Sequence, residues 1–225
     1  MIRFLCLILN MVGLLCIEPF YNTIAAQTAV LQNTRLARGD DGLYGYTPAK
    51  GDELRYVVTY PDGSQYDFVI TLMQYDYPGA AEFPVALRWD ISEPLNSTGL
   101  IELCSACLEQ SYVYLNYFKD GTYLKYTDFS TVFVSAKNFS ETEKPNDRFT
   151  LMIMDGEEIT FHADPAYTGF PVQANGRSIQ LRTRKLNSVP GGKEVIFQPG
   201  AHRLIVAMKL NFSIELKEIK FINDK

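Results

Sequence analysis

Apolar segments separated by turn residues recur along this chain, and they constrain its fold more than any other feature. Apolar and polar residues alternate over residues 54–60 and again over residues 66–72, which is the period of a half-buried β-strand. Between the two segments stands Pro61-Asp-Gly-Ser64, where proline presets φ and glycine accepts positive φ. The first two strands are therefore predicted to form a hairpin.

Two further hairpins are predicted in the second half of the chain. Residues 149–154 face residues 158–162 across Asp155-Gly156. Residues 170–174 face residues 178–186 across Asn175-Gly176, the dipeptide that best suits a two-residue type I′ turn. These signals indicate antiparallel pairing along most of the domain.

The remaining elements are predicted from apolar periodicity. Seven further strands are expected over residues 85–91, 100–103, 123–126, 131–134, 193–197, 204–210 and 212–221. A short helix is expected over residues 105–115, with Ser105 as a candidate N-cap, and a helical turn over residues 135–139. In the last strand the apolar set changes parity between Leu216 and Ile219, which predicts a β-bulge near Lys217 and Glu218.

This pattern predicts a mainly β fold: an antiparallel hairpin or meander domain with one or two short helices. Residues 44–225 are expected to form one domain, preceded by a flexible leader over residues 27–43. A barrel, a curved open sheet and a two-sheet sandwich all bury such strands, and the sequence does not choose among them.

Residues 1–26 are typical of a signal peptide. Arg3 precedes an apolar run over residues 4–17, which ends at Glu18 and is too short to span a bilayer as a helix. Small residues then favour cleavage near Ala26 and Gln27. We expect an exported protein of the periplasm, the cell surface or the extracellular space.

Cys16 allows a different processing route. Lipoprotein processing leaves a lipidated cysteine at the mature N-terminus, and only then would we expect a membrane partner. The bulky Leu15 stands where such signals usually carry a small residue, so the pattern favours an ordinary apolar role for Cys16 in the signal peptide.

Cys104 and Cys107 form a C-x-x-C motif, the pattern that attracts most chemical attention in this chain. Once the signal is removed they are the only cysteines left, so an intramolecular disulfide has to join them. Such a pair at a helix start can exchange thiols and disulfides. Redox enzymes place it in a β-α-β setting, whereas antiparallel neighbours are expected here. The open alternatives are an inert disulfide, two buried thiols and a redox pair.

No catalytic, cofactor-binding or metal-binding residues can be assigned. A net charge of −5 with scattered Lys and Arg provides no basic surface, so nucleic acid is not an expected partner. His162 and His202 are the only histidines, and neither stands in a hydrolase or zinc signature.

The aromatic content is the remaining anomaly, with 14 Tyr and 14 Phe. The single tryptophan, Trp89, and the stretch with Tyr112, Tyr114 and Tyr117 are candidates for an aromatic binding surface for sugars or apolar ligands. The alternative is that these residues belong to the hydrophobic core, because aromatic residues are common in β-strands.

Several short segments resemble a group of uncharacterised exported β-rich proteins of Bacteroidota. The similar segments are residues 51–57, Tyr117-Phe118, residues 133–135, residues 173–177 and residues 212–219. The resemblance implies a bacterial cell envelope as the setting, and it implies no activity, cofactor or catalytic residue.

The function expected from these observations is a non-enzymatic β-domain that binds an envelope ligand or protein. An enzyme of unrecognised type, using Cys104 and Cys107 for redox chemistry, is the first alternative. A structural component of the envelope is the second.

Overall fold

The computed structural model describes residues 35–114, 118–142, 148–153 and 157–222. The strands in chain order are β1 Leu36–Arg38, β2 Tyr44–Tyr46, β3 Glu53–Thr59, β4 Gln65–Tyr75, β5 Val85–Ile91, β6 Ser97–Leu103, β7 Val113–Tyr114, β8 Thr122–Tyr126, β9 Phe129–Ser130, β10 Arg148–Ile153, β11 Glu158–Ala163, β12 Thr168–Ala174, β13 Arg177–Val189, β14 Glu194–Phe197, β15 Ile205–Lys209 and β16 Ser213–Lys220. Helix α1 is Ser105–Gln110 and helix α2 is Ala136–Thr142.

A closed five-stranded barrel forms the centre of the fold, with further strands outside it. Strands β12 to β16 pair in chain order, and β12 closes the ring by pairing in parallel with β16. From β16 the sheet continues through β3, β4, β5 and β6 to β8, and from β13 it continues through β11 and β10 to β7 and β9. The mainly β fold class is therefore confirmed.

The predicted hairpins are present. Strands β3 and β4 pair antiparallel from Glu53 to Thr59, with the predicted turn between them. Strands β10 and β11 pair as expected, and so do β12 and β13. Asn175 and Gly176 have φ values of 45° and 78°, as a type I′ turn requires.

The predicted β-bulge is also present. The register between β16 and β3 shifts between Leu216 and Glu218, so Leu216 faces Tyr56 and Ile219 faces Leu54. Leu216 and Ile219 are both fully buried in the main hydrophobic cluster. The extra residue thus lets β16 keep its apolar side chains inward along its length.

The described part of the chain contains regular structure before Tyr44, the predicted start of the domain. Strand β1 lies within the predicted leader and pairs antiparallel with β2 across a turn at Gly39 and Gly42. Arg35 lies 3.7 Å (Nε to Oδ1) from the fully buried Asp52. Residues 35–43 are therefore part of the folded domain.

Helix α1 ends at Gln110, not at residue 115. Ser111 leaves the helix with extended backbone, and its hydroxyl accepts a hydrogen bond from the Val113 amide at 3.1 Å. The N-cap is Cys104, whose sulfur accepts from the Cys107 amide, and not the predicted Ser105. At the C-terminal end, the Ser111 hydroxyl competes with the helix for a backbone amide, and the helix therefore stops after one and a half turns.

The strand predicted over residues 131–134 is wrong. Strand β9 comes just before it, and only Phe133 forms a bridge, to Leu204. Val132 has a φ of 64°, which a strand does not accommodate, so the backbone turns at that residue. The segment is buried and apolar but irregular.

Candidate functional site

An apolar pocket opens on one face of the sheet formed by β15, β16, β3, β4 and β5. Its buried floor consists of Val58, Phe68, Ile91, Tyr114 and Met208. Its more exposed rim consists of Tyr60, Tyr66, Phe118, Phe212 and Ile214. These ten residues define the aromatic pocket, whose volume is about 120 Å³.

The sheet register places much of the lining in one row. Met208 of β15 faces Ile214 of β16, and Ile214 faces Val58 of β3. Val58 faces Tyr66 of β4 in turn. Paired residues on neighbouring strands present their side chains on the same face, so this row follows from the alternation of apolar residues in each strand.

Tyr114 closes the pocket from a different strand, β7. Burial raises the pKa of its phenol, while a hydrogen bond from the Val132 amide opposes that rise. The Tyr114 hydroxyl is thus bound by the irregular segment after β9. Its ring is left as apolar floor.

Phe118 forms part of the rim next to β8. Its ring centroid lies 4.7 Å from that of Phe68 and 5.4 Å from that of Trp89. Phe118 therefore connects the pocket to the core of the sheet.

Two tyrosines supply the polar groups of the rim. The rings of Tyr60 and Tyr66 lie 5.7 Å apart and their hydroxyls are hydrogen-bonded. Burial, and next the hydrogen bond with Tyr60, raise the pKa of Tyr66 well above its ordinary range. The Tyr66 phenol is therefore neutral at physiological pH, and no charged side chain belongs to the lining.

The predicted aromatic surface is only partly present. Trp89 is 1% exposed and is a core residue, so its assignment to a binding surface is wrong. It is buried because strand β6 places Gly99 directly opposite it, leaving room for the indole. Tyr114 is also buried, although its ring lines the aromatic pocket.

The other two tyrosines of that prediction do not join the site. Tyr112 is 45% exposed, and the Lys137 ammonium lies 3.9 Å from its ring centroid. This is a surface cation–π contact and not part of the pocket lining. Tyr117 lies outside the described residues.

The Cys104 and Cys107 side chains meet in a buried position. They are free thiols whose sulfur atoms lie 2.7 Å apart, within reach of the disulfide that the sequence allows. Cys107 is fully buried and donates to the Tyr126 carbonyl at 2.8 Å. Burial, and next the hydrogen bond with Cys104, raise the pKa of Cys107 to about 12. A thiol with so high a pKa is a poor nucleophile at neutral pH.

The strand context of the motif differs from the expectation of antiparallel neighbours. Strand β6 precedes the motif, and β8, which follows α1, pairs with β6 in parallel. The connection therefore does run from a strand through a helix to a parallel strand. Burial and the raised pKa, and not the strand direction, argue against redox catalysis by this pair.

The two histidines lie in different parts of the fold. His162 is half-buried in β11, where it faces Asn187 of β13. His202 contacts the Tyr75 hydroxyl through Nδ1 at 2.9 Å. Burial, and next the charge of Arg203, lower the pKa of His202. Neither histidine lines the aromatic pocket.

A buried arginine near α1 was not anticipated from the sequence. The Arg203 guanidinium donates to the carbonyls of Val134 at 2.9 Å and Leu108 at 3.1 Å. It also donates to the Tyr77 hydroxyl at 2.5 Å. That hydroxyl in turn donates to Glu109. These bonds join α1 to two irregular segments, which gives Arg203 a structural role.

A second pocket of about 120 Å³ opens on the opposite face of β15 and β16. Glu194, Lys209 and Glu215 belong to its lining, and Glu194 is paired with Lys185 at 2.8 Å. Glu215 is likewise paired with a lysine outside the lining, Lys217, so the lining of this second pocket is charged. The aromatic pocket is therefore the better candidate for an apolar ligand.

The chain matches no protein-family model, no curated protein sequence and no solved structure. Across residues 35–114, 118–142, 148–153 and 157–222, no helix is long and apolar enough to span a membrane. In the same ranges no three His, Cys, Asp or Glu side chains are grouped as a metal site would require. The predicted signal cleavage near Ala26 and Gln27 and the lipidation alternative at Cys16 lie outside the described residues.

Proposed function

We propose that this protein is an exported, non-enzymatic β-domain that binds an uncharged, apolar ligand in the aromatic pocket. The observation that carries the proposal is an open pocket of about 120 Å³ in which six of the ten lining side chains are aromatic and none is charged. Apolar pockets with a few polar groups are the usual form of small-molecule sites. Export is supported by the signal-peptide pattern of residues 1–26.

The lining also supports binding over catalysis. Its polar side-chain groups are three phenols, and burial raises the pKa of both Tyr66 and Tyr114. General acid–base catalysis works best when the pKa of the group lies near the working pH, which these phenols do not offer. The buried thiols of Cys104 and Cys107 give no support to the redox alternative either.

The apolar surface provides the driving force for binding. Removing one phenyl ring from water contributes roughly 1.5–3 kcal/mol. The rings of Phe118 and Phe212 at the rim are half-buried, and an occupant of the pocket would cover more of their surface.

Binding of N-phenyl-1-naphthylamine tests the proposal, because the phenyl ring of this uncharged fluorophore can enter the pocket while its naphthyl group extends past the open mouth. We expect saturable fluorescence enhancement with one site per chain. Phe212→Ala removes a rim ring and should weaken the apparent affinity at least about fivefold, because the apolar area that the ring and the ligand bury together contributes about 1 kcal/mol or more.

Phe83→Ala is the matched control, since Phe83 is half-buried and lies outside the aromatic pocket. Its affinity for the fluorophore should stay within about twofold of the unsubstituted protein. The proposal fails if the fluorophore does not bind, or if both substitutions weaken binding equally.

A further inference from the structure

The polar groups of the aromatic pocket are unevenly available to a ligand. The Tyr114 hydroxyl is already bound by the Val132 amide inside the fold, and the side chain is buried. Tyr60 is 41% exposed and Tyr66 is half-buried, so their hydrogen-bonded hydroxyls stand at the rim. The pocket therefore has an apolar floor and one polar edge.

We propose, resting on the proposed function, that the ligand is a neutral molecule with an apolar ring at its inner end and a hydroxyl or other acceptor at its outer end, where the Tyr60–Tyr66 pair recognises it. Benzyl alcohol is the simplest member of this class. The ring lies against the floor, and the hydroxyl reaches the tyrosine pair.

The hydrogen-bonding capacity of two phenols explains the polar contact. Each hydroxyl has one proton to donate and can accept as well. One proton is used between Tyr60 and Tyr66. The second proton is left for an acceptor on the ligand, and the oxygen atoms can accept from a ligand hydroxyl.

The size of the pocket limits the inner end to about one ring. An apolar cavity of roughly 150 Å³ binds benzene in a well-studied protein, and the aromatic pocket has about 120 Å³ together with an open mouth. A larger ligand has to extend past the rim.

The floor also argues against a sugar. Val58, Phe68, Ile91 and Met208 carry no hydrogen-bonding side-chain groups apart from the weak thioether acceptor. A pyranose would bury several hydroxyls there without partners, and each unpaired hydroxyl costs roughly 1–3 kcal/mol. A charged ligand is disfavoured as well, because no side chain of the lining carries an opposite charge.

Calorimetric titrations of the full mature chain with toluene and with benzyl alcohol test this ligand class. Tyr66→Phe keeps the ring and removes the hydroxyl. We expect it to weaken benzyl alcohol binding about three- to tenfold, the net effect of one hydrogen bond, and to leave toluene binding within about twofold.

Tyr60→Phe is a second variant, and it should also weaken benzyl alcohol binding and leave toluene binding unchanged. Because Tyr60 is 41% exposed, its substitution is not expected to disturb folding. Tyr123→Phe is the matched control, because Tyr123 is 53% exposed and lies outside the pocket. The control should leave both probes unaffected.

The outcomes separate this inference from the proposed function. If toluene binds but the Tyr66 and Tyr60 variants affect both probes equally or neither, the tyrosine contact is wrong and the apolar pocket stands. If neither probe binds, the proposed function fails as well. Tighter binding of glucose than of benzyl alcohol would also overturn the inference. So would the finding that the protein is a dimer and that the probes bind only after it dissociates, because the occupant of the pocket would then be a second copy of the chain.

Discussion

The indole of Trp89 meets the ring of Phe118 edge-on, with the ring centroids 5.4 Å apart. Trp89 is the single tryptophan of the chain, and it is buried behind the aromatic pocket whose rim includes Phe118. One ring thus separates the ligand site from the only indole.

We expect Trp89 emission to report occupation of the aromatic pocket. A ligand that packs on Phe118 changes the packing of that ring on the indole, and indole emission is sensitive to its surroundings. Titration with benzyl alcohol should change the emission saturably, and Phe118→Leu should reduce the amplitude of the change. A strictly linear response would mean that the probe acts through the solvent.

Gly99 is expected to be required for the burial of Trp89. A Cβ at position 99 would lie 2.6 Å from the indole Cζ2 and 2.7 Å from Nε1, closer than such contacts allow. Gly99→Ala should lower the free energy of unfolding by roughly 1–3 kcal/mol, the usual effect of overpacking. Urea denaturation followed by circular dichroism measures this change.

Gly45→Ala is the control for that substitution. Gly45 also lies in a strand, and a Cβ there would approach only the Ala37 carbonyl, at 3.8 Å. Gly45→Ala should lower the free energy of unfolding much less than Gly99→Ala does. Equal losses for Gly45→Ala and Gly99→Ala would show that strand propensity, and not the indole contact, decides the result.

The hairpins and the bulge were predictable because their signals are local. Asn175 and Gly176 determine their turn through backbone conformation alone, and the parity change between Leu216 and Ile219 is visible in the strand itself. Such features depend on a few consecutive residues. They follow from the sequence without knowledge of the tertiary structure.

Barrel closure and the parallel pairs were not predictable from these signals. Pairing of β12 with β16 rests on contacts of Gln173 with Glu218 and of Ala174 with Ile219, distant in sequence. Alternation shows that a strand has a buried face and does not identify its neighbour. For the same reason the parallel arrangement of β6 and β8 was missed.

The candidate site was predicted in part. Aromatic residues were expected to line it, and Tyr114 does, but Trp89 is core and Tyr112 does not belong to the lining. Phe118 and Phe212 were not identified as site residues, although Phe212 belonged to the predicted last strand, because periodicity shows which side chains are apolar and not which of them meet. Strand pairing, which the sequence does not give, brings them together.

Stability is expected to fall in alkaline solution. The pKa of Cys107 rises from 9.0 in the unfolded chain to about 12 in the folded protein, so the unfolded chain binds fewer protons between these values. The free energy of unfolding therefore decreases from pH 9 to pH 12 and is unaffected by this group below pH 9. Burial raises the pKa of Tyr126 from 10.0 to about 12, which adds to the decrease above pH 10.

Urea denaturation from pH 7 to pH 11 in the presence of a phosphine reductant measures the alkaline effect. Cys107→Ala should remove the part of the decrease that begins near pH 9 and keep the part that tyrosines contribute. A constant free energy of unfolding across this range would contradict the burial of an ionisable thiol.

Tyr77→Phe is expected to destabilise the fold around α1. The Tyr77 hydroxyl accepts from the buried Arg203 and donates to Glu109, so its removal leaves a buried cation with one partner fewer. The expected loss is roughly 1–3 kcal/mol in the free energy of unfolding. The exposed Tyr123 provides the control, since Tyr123→Phe should change stability by less than about 0.5 kcal/mol. Equal effects of the two substitutions would argue against the structural role of Arg203.

Methyl NMR with labelled methionine and isoleucine tests the central claim most directly. Met208, Ile91 and Ile214 line the aromatic pocket, whereas Met73 is exposed and lies outside it. On titration with benzyl alcohol, the pocket methyl signals should shift saturably while the Met73 signal stays in place. Unchanged pocket signals, or saturable shifts confined to Met73 and other methyls outside the pocket, would contradict the account.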